Sequence, residues 1–302
     1  MENNRKKILI TGVCGLIGRK ICKKLSDEYD IDGVDNLFRN DINEVQQYCN
    51  FHPSNLIDFL SSNNNTYEYI FHLSAINGTR YFYEIPNKVI ENNLSSDLAI
   101  FEYAKSNIST KVIYASSSEI VADSNSYPVS EETDIVLKNI HNPRWSYRLS
   151  KIISENYLMN SDLNFLIVRF FNVYGQHSVN GHFVADILEK IHNKNFDLYG
   201  HDETRSFCYI DNAVDAVLSI YKNISKEVVN IGNDQELSIE EAANIITKNM
   251  NLDNVVWTRY PGRNGSTKRR IPDISKLKKY YPTYNPISFD EGIKRVLNGQ
   301  RS

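Results

Sequence analysis

Residues 7–18 read Lys7-Ile8-Leu9-Ile10-Thr11-Gly12-Val13-Cys14-Gly15-Leu16-Ile17-Gly18. The opening KILIT is a short apolar run with the look of a buried strand, and helical spacing begins at residue 16. Strand, glycine turn and helix in that order form the context a dinucleotide fingerprint requires. Glycines let the backbone turn tightly and approach a pyrophosphate, and the helix N-terminus offers unpaired N–H groups and partial positive charge. Gly12, Cys14, Gly15, Leu16, Ile17 and Gly18 are therefore the expected phosphate cradle. A glycine triplet alone is equally a plain turn, but Asp35 adds a second signal. It closes the run YDIDGVD (29–35), where a carboxylate can accept hydrogen bonds from the adenosine ribose and repel a 2′-phosphate. Asn36 is grouped with it. This favours NAD over NADP, with Arg39 nearby as the one cation pulling the other way.

Outward from this stretch, short apolar runs alternate with helical patterns. YEYIFHLS (67–74), KVIYASS (111–117) and FLIVRFF (165–171) read as further strands, and 16–28, 89–106 and 146–160 as helices. Near-continuous apolar runs suit parallel strands covered on both faces. The expected fold is α/β, a doubly wound parallel, Rossmann-like sheet with a smaller, loop-rich C-terminal lobe. Residues 1–174 form the expected dinucleotide-binding domain, joined by about 206–233. Residues 175–302 mainly form a discontinuous substrate lobe. Past Gly175, helical spacing covers 182–194 and about 211–223, and VVNIG (228–232) reads as one more strand. Ser238 and Glu241 form a capping box ahead of a helix. Pro261, Gly262, Gly265, Pro272, Pro282 and Pro286 make the tail read as loops.

Composition narrows the function classes. The 302 residues carry 34 Lys+Arg against 37 Asp+Glu, a net charge of −3, with 41% hydrophobic residues. Without a basic tract, phosphate neutralisation on a nucleic acid is not expected. No run reaches the about 18 apolar residues of a membrane span, and MENNRKKILITG lacks a signal core, so a cytoplasmic protein is expected. Cys14, Cys22, Cys49 and Cys208 form no CxxC pair, which favours reduced, structural thiols and no metal site.

Tyr147 and Lys151 lie four apart on a helical pattern, hence on one face. A free phenol has a pKa of about 10, and a nearby ammonium lowers it toward a useful base. Ser116-Ser117-Ser118-Glu119 ends the KVIYA strand, at the sheet edge where α/β folds bind ligands.

TGVCGLIG, Asp35, HLSA (72–75), YASSSE (114–119), YRLSK (147–151), RFFNVYG (169–175) and TRSFCYID (204–211) occur in an order that resembles the extended short-chain dehydrogenases/reductases. These are the NAD-dependent nucleotide-sugar epimerases, dehydratases and decarboxylases. The resemblance implies that Tyr147 is general base or acid on the sugar hydroxyl, usually the 4-OH. It implies that Lys151 holds the nicotinamide ribose and that Ser117 binds the same sugar oxygen as Tyr147. Leu73, Ser74 and Ala75 would line the cofactor, with Ser118 beside the sugar. Asn172 would orient the substrate near its diphosphate, which Arg205 and either Arg269 or Arg270 would pair. Arg80, in the loop after HLSA, would meet a carboxylate or phosphate, with Tyr81 and Tyr83 stacking on the sugar or packing. His182 falls near a second acid/base position of some epimerases, or is a surface-helix histidine.

The chain also departs from the pattern. Val121-Ala122 replaces the usual Tyr-Gly, and Ser96-Asp97 replaces the usual Gly-Thr of the third helix. Ser118-Glu119 disfavours the dehydratases that carry Asp-Glu there. Glu119, raised in pKa by burial, would be the base for C3 or C5 epimerisation. Epimerisation through a transient 4-keto sugar with internally recycled NAD is the first expectation. UDP-glucuronate decarboxylation, for which NPRWSYRLSK and RRIPDISK speak, or 4,6-dehydration, is the alternative. A noncatalytic NAD-binding scaffold is the rival from another class. The expected partner is a nucleotide-diphosphate sugar, and the family implies a homodimer through helices 89–106 and 146–160, with Leu98, Phe101 and Ile152 outward.

Overall fold

The computed structural model describes residues 5–39, 42–176, 178, 181–252 and 254–299; Met1–Asn4 of the basic stub lie outside them. The first six strands are β1 (Lys7–Thr11), β2 (Asp30–Asp35), β3 (Asn50–Pro53), β4 (Tyr69–His72), β5 (Lys111–Ser117) and β6 (Asn164–Phe170). Those after them are β7 (Val173–Tyr174), β8 (Asp197–Tyr199), β9 (Thr204–Ser206), β10 (Cys208–Tyr209), β11 (Glu227–Ile231), β12 (Glu236–Ser238), β13 (Thr258–Tyr260) and β14 (Arg269–Arg270). The helices are α1 (Leu16–Leu25), α2 (Leu56–Ser62), α3 (Thr79–Glu84), α4 (Pro86–Ser106) and α5 (Trp145–Met159). They continue with α6 (Phe183–His192), α7 (Ile210–Ile220), α8 (Ile239–Asn249), α9 (Ser275–Tyr280) and α10 (Phe289–Gly299).

Seven strands form one parallel sheet in the order β11-β6-β5-β4-β1-β2-β3. This is the doubly wound arrangement, and the order in which the chain lays down its strands reverses between β1 and β4, where such sheets bind ligands. Alternation along the strands explains the two faces. Ile8, Ile10 and Ile113 pack toward Ile21 and Cys22 of α1 and Ala213 and Val217 of α7. Leu9, Val112 and Tyr114 pack toward Phe59 of α2, Ile100 and Phe101 of α4 and Leu158 of α5. Both faces are thus covered, which is why the strands read as unbroken apolar runs.

β11 adds to the sheet beside β6, and α7 packs on the same face as α1. The first core cluster continues without a break into Trp257, Leu277, Phe289 and Val296. The prolines and glycines of the tail lie in loops as expected, and two helices, α9 and α10, stand among them, α10 burying Phe289, Ile293 and Val296. The short strand β3, half exposed and polar (NFHP), was missing from the apolar runs because an edge strand needs no buried second face. The Ser238–Glu241 capping box forms with both of its hydrogen bonds. Among the described residues no helix is long and apolar enough to cross a membrane.

Candidate active site

The carboxyl ends of β1, β2, β4, β5 and β6 open into a cleft of about 730 Å³ that reaches across to α6, Arg205 and Arg270. One wall is the glycine turn. Gly12 has φ +68°, and a Cβ there would stand 2.9 Å from the Ser74 backbone. A Cβ on Gly18 would meet the Gly12 carbonyl at 2.3 Å. Only glycine lets turn, helix and the β4 loop close to this distance. Gly15 starts α1 without a side-chain cap, so the helix N-terminus keeps donors for an anion. Gly12, Gly15, Leu16, Ile17, Gly18, Asp35, Asn36, Leu73, Ser74 and Ala75 all line the cleft. Cys14 does not: its buried thiol is pushed up to about 12 by burial, and its backbone N–H donates to Asp35 Oδ2 at 3.1 Å.

Asp35 Oδ1 accepts from Leu37 N at 2.9 Å. Burial raises its carboxyl, with these two N–H groups opposing. Arg39 contacts His182 Nε2 (3.3 Å) and lies over the Tyr81 ring (5.6 Å), and its charge still acts on Asp35. The residues present therefore fit an NAD: a Cβ-free cradle, an open helix end and a carboxylate lining the cleft at the end of β2.

The three residues expected to react come together at the carboxyl end of β5. Ser117, Tyr147 and Lys151 all line the cleft. Tyr147 stacks on Phe82 of α3, ring centres 5.0 Å apart at 17°. Burial raises the Tyr147 phenol above its ordinary value, with the Ser117 side chain acting as a hydrogen-bond partner that opposes it. Lys151 is buried, and its Nζ donates to Tyr114 Oη at 3.0 Å. Burial lowers the lysine, and the Asp97 carboxylate works against that.

Beside the trio stands a knot of charge. Glu119 accepts from Arg144 Nη2 at 2.7 Å and Arg148 Nε at 3.2 Å, and pairs with Arg270 Nη2 at 2.8 Å. Burial pushes the Glu119 carboxyl up, but Arg144, Arg270 and Arg148 outweigh it and hold it well below the carboxylate range. This corrects the expectation of a raised Glu119 base. Arg205 is buried and paired with Glu203 at 2.8 Å. Arg270 is lowered to about 10 by burial, and its Nε has no partner.

Of the other expected substrate contacts, Ser118, Asn172 and His182 line the cleft. Asn172 (φ +38°) donates from Nδ2 to Ser206 O at 2.8 Å. His182 sits at the N-cap of α6, lowered to about 4 by burial and by Arg39; it is a neutral cleft residue rather than a surface one. Arg80 is corrected: it is exposed and pairs with Glu84 one turn on, outside the cleft. Arg269 is likewise outside, paired with Glu236 and lying over Tyr127, because neighbours on a strand point to opposite faces. Tyr81 packs on Phe38, and Tyr83 donates to Asn264 O, so Phe82 is the α3 aromatic that reaches the Tyr147 phenol. Sequence reading missed Arg148 and the cleft residues Lys190, Glu203 and Arg263. A lone charge in a loop or on a helix gives no signal of facing a cleft. Among the described residues no cluster of His, Cys, Asp or Glu can hold a metal, and all four cysteines are free.

Residues 8–232 match the family model described as NAD dependent epimerase/dehydratase family. The chain belongs to this family of enzymes, whose cofactor chemistry the glycine cradle and Asp35 fit. It is 28% identical over 313 residues to the UDP-N-acetyl-alpha-D-glucosaminuronate decarboxylase of Bacillus cytotoxicus, covering 97% of each chain. It is also 28% identical to UDP-glucuronic acid decarboxylase 1 of Xenopus tropicalis, over 98% of this chain and 72% of that one. The fold is that of the UDP-glucose 4-epimerase of Thermotoga maritima, with a TM-score of 0.85, 23% identity and 98% of each chain covered.

Proposed function

We infer that this chain binds NAD and acts on a nucleoside diphosphate sugar bearing a carboxylate at C5, which it oxidises at C4 and decarboxylates. The observation that carries this reading is Arg270: it lines the same cleft as Ser117 and Ser118, and while its Nη2 pairs with Glu119, its Nε has no partner. A guanidinium N–H left open in this way suits a carboxylate oxygen. The two decarboxylase relatives support it.

Bound NAD supplies a reversible hydride acceptor for C4. Tyr147 removes the 4-OH proton, Ser117 holds that oxygen, and the Lys151 ammonium favours the phenolate. The sugar is then a β-keto acid. Its C5–carboxyl bond breaks, carbon dioxide leaves, and the electron pair moves into the C4 carbonyl as an enolate. Ser117 and Tyr147 hydrogen-bond that oxygen. A proton is added at C5 and C4 is reduced again, so the net change is carboxylate plus one proton to carbon dioxide and a C5–H bond. Arg205, Arg263 and Lys190 provide cationic contacts for the diphosphate, and Asn172 orients it. Asp35, whose carboxylate lines the cleft, favours NAD over NADP.

Caged Glu119 leaves epimerisation at C3 or C5 without the base expected for it. Epimerisation at C4 asks for no base beyond Tyr147 and is the second reading. Family membership further supports a homodimer.

The test is a panel of UDP-, GDP-, CDP- and dTDP-sugars, including uronates, read by mass spectrometry and NMR. The expected result is a product lighter by carbon dioxide, with no added cofactor required. Unchanged mass with inverted C4 establishes the second reading; loss of water, or NADH accumulating with product, overturns both. Tyr147→Phe should cut turnover by about 10²–10⁴-fold while leaving NAD binding and circular dichroism unchanged.

A further inference from the structure

Asp97, on α4, is wholly buried, and its Oδ2 lies 3.9 Å from Lys151 Nζ. A carboxylate survives there only if its oxygens are occupied. Oδ1 meets His72 Nε2, at the end of β4, at 2.8 Å. Oδ2 accepts from Tyr114 Oη of β5 at 2.6 Å and Ser154 Oγ of α5 at 2.7 Å. Tyr114 Oη in turn accepts from Lys151 Nζ. On the far side, His72 Nδ1 lies 2.8 Å from Thr11 Oγ1. That hydroxyl already accepts the N–H groups of Leu73 and Ser74, each at 3.2 Å. Its own hydrogen is left for Nδ1, which fixes His72 as the neutral ring with its proton on Nε2, facing Asp97. The buried charges are then one carboxylate and one ammonium, linked by neutral hydrogen-bonding groups from the residue before Gly12 to the lysine at the cleft.

We propose that Asp97 is a positioning residue that keeps the Lys151 ammonium charged and aimed into the cleft, and couples it through His72 to the glycine turn. The inference rests on reading Tyr147 and Lys151 as the reacting pair. The other groups facing Lys151 do not do this work. Glu155, one turn along α5, is taken by Arg169 of β6 at 2.7 Å. Tyr114 is neutral, its phenol raised well above the ordinary value by burial. Tyr147 stands one turn back on α5 and has Arg39 and Glu119 among the charges around it. Asp97 itself is pushed up by burial, but Lys151 and His72 outweigh this and hold it below its ordinary value. The sequence already marked the spot, since Asp97 stands where the family pattern has threonine.

The test is a titration of Lys151 in the full chain, using lysine carrying ¹³C at the ε position. Its resonance is identified by its loss in Lys151→Met. In Asp97→Asn, Lys151 should lose its proton at a pH lower by about one unit or more, and the alkaline limb of kcat should move with it. The double variant Ser96→Gly with Asp97→Thr should do the same, and it serves if Asp97→Asn fails to fold. Ser154→Ala removes a hydrogen bond but keeps the charge, and should leave the titration within ~0.3 unit of native. Titration unmoved by loss of the carboxylate, or moved equally by Ser154→Ala, overturns the proposal. The readout needs no substrate: a shifted Lys151 in a protein inactive on every uronate sinks the functional reading alone.

Discussion

Glu119 receives Arg144, Arg148 and Arg270 on its two oxygens while almost out of solvent. Its carboxyl is held well below the ordinary range in the folded chain. The stabilisation it gives is present above the unfolded pKa of about 4.3 and is lost as pH falls through the folded value. Glu119→Gln leaves three guanidinium groups with no central anion, and should lower stability by about 3–5 kcal/mol at pH 7. A protonated glutamic acid has the shape and charge of glutamine. The gap between the two proteins in urea melts should therefore close as pH drops below about 4. A gap that persists at acid pH would mean the loss is one of packing.

Among the elements, α8 shows how a local signal is used. Ser238 Oγ accepts from Glu241 N at 3.1 Å, and Glu241 Oε2 accepts from Ser238 N at 2.7 Å. The helix buries Ala242, Ala243 and Ile246 in the core shared with α10. Ser238→Ala should cost about 1 kcal/mol, seen as a lower urea midpoint with an unchanged slope. α4 and α5 illustrate the converse. Phe101 is fully buried in the sheet-facing core and Ile152 packs beside Val121 and Phe171, so neither faces outward as expected. A 3.6-residue period shows that an apolar stripe exists; which neighbour it meets depends on how the helix is rolled onto the sheet.

At the scale of the whole molecule, α4 exposes Leu98 and α5 exposes Ile153 and Met159, each more than 40% accessible. These two helices pack together on one face of the sheet. Analytical ultracentrifugation should give about twice the 34.9 kDa chain mass. Leu98→Glu combined with Ile153→Glu should return it to the chain mass. A native protein sedimenting as one chain would remove this surface as an interface.

The residue order by itself determined the strand–turn–helix cradle, the parallel sheet and the shared helix face of Tyr147 and Lys151, while the choice of Ser117 as their companion came from the family resemblance. Each rests on local rules: glycine where a Cβ cannot fit, apolar runs where both faces are covered, a helical spacing of four. The tertiary structure decided the chemistry around them. It chose Arg270 over Arg269 and Phe82 over Tyr81 and Tyr83, and it moved Arg80 out of the cleft. It also turned Glu119 from a candidate base into the centre of an arginine cage, and joined Asp97 to Lys151. The physical reason is that acidity and accessibility depend on distance and burial, which groups 25 or 54 positions apart acquire only when the chain has folded.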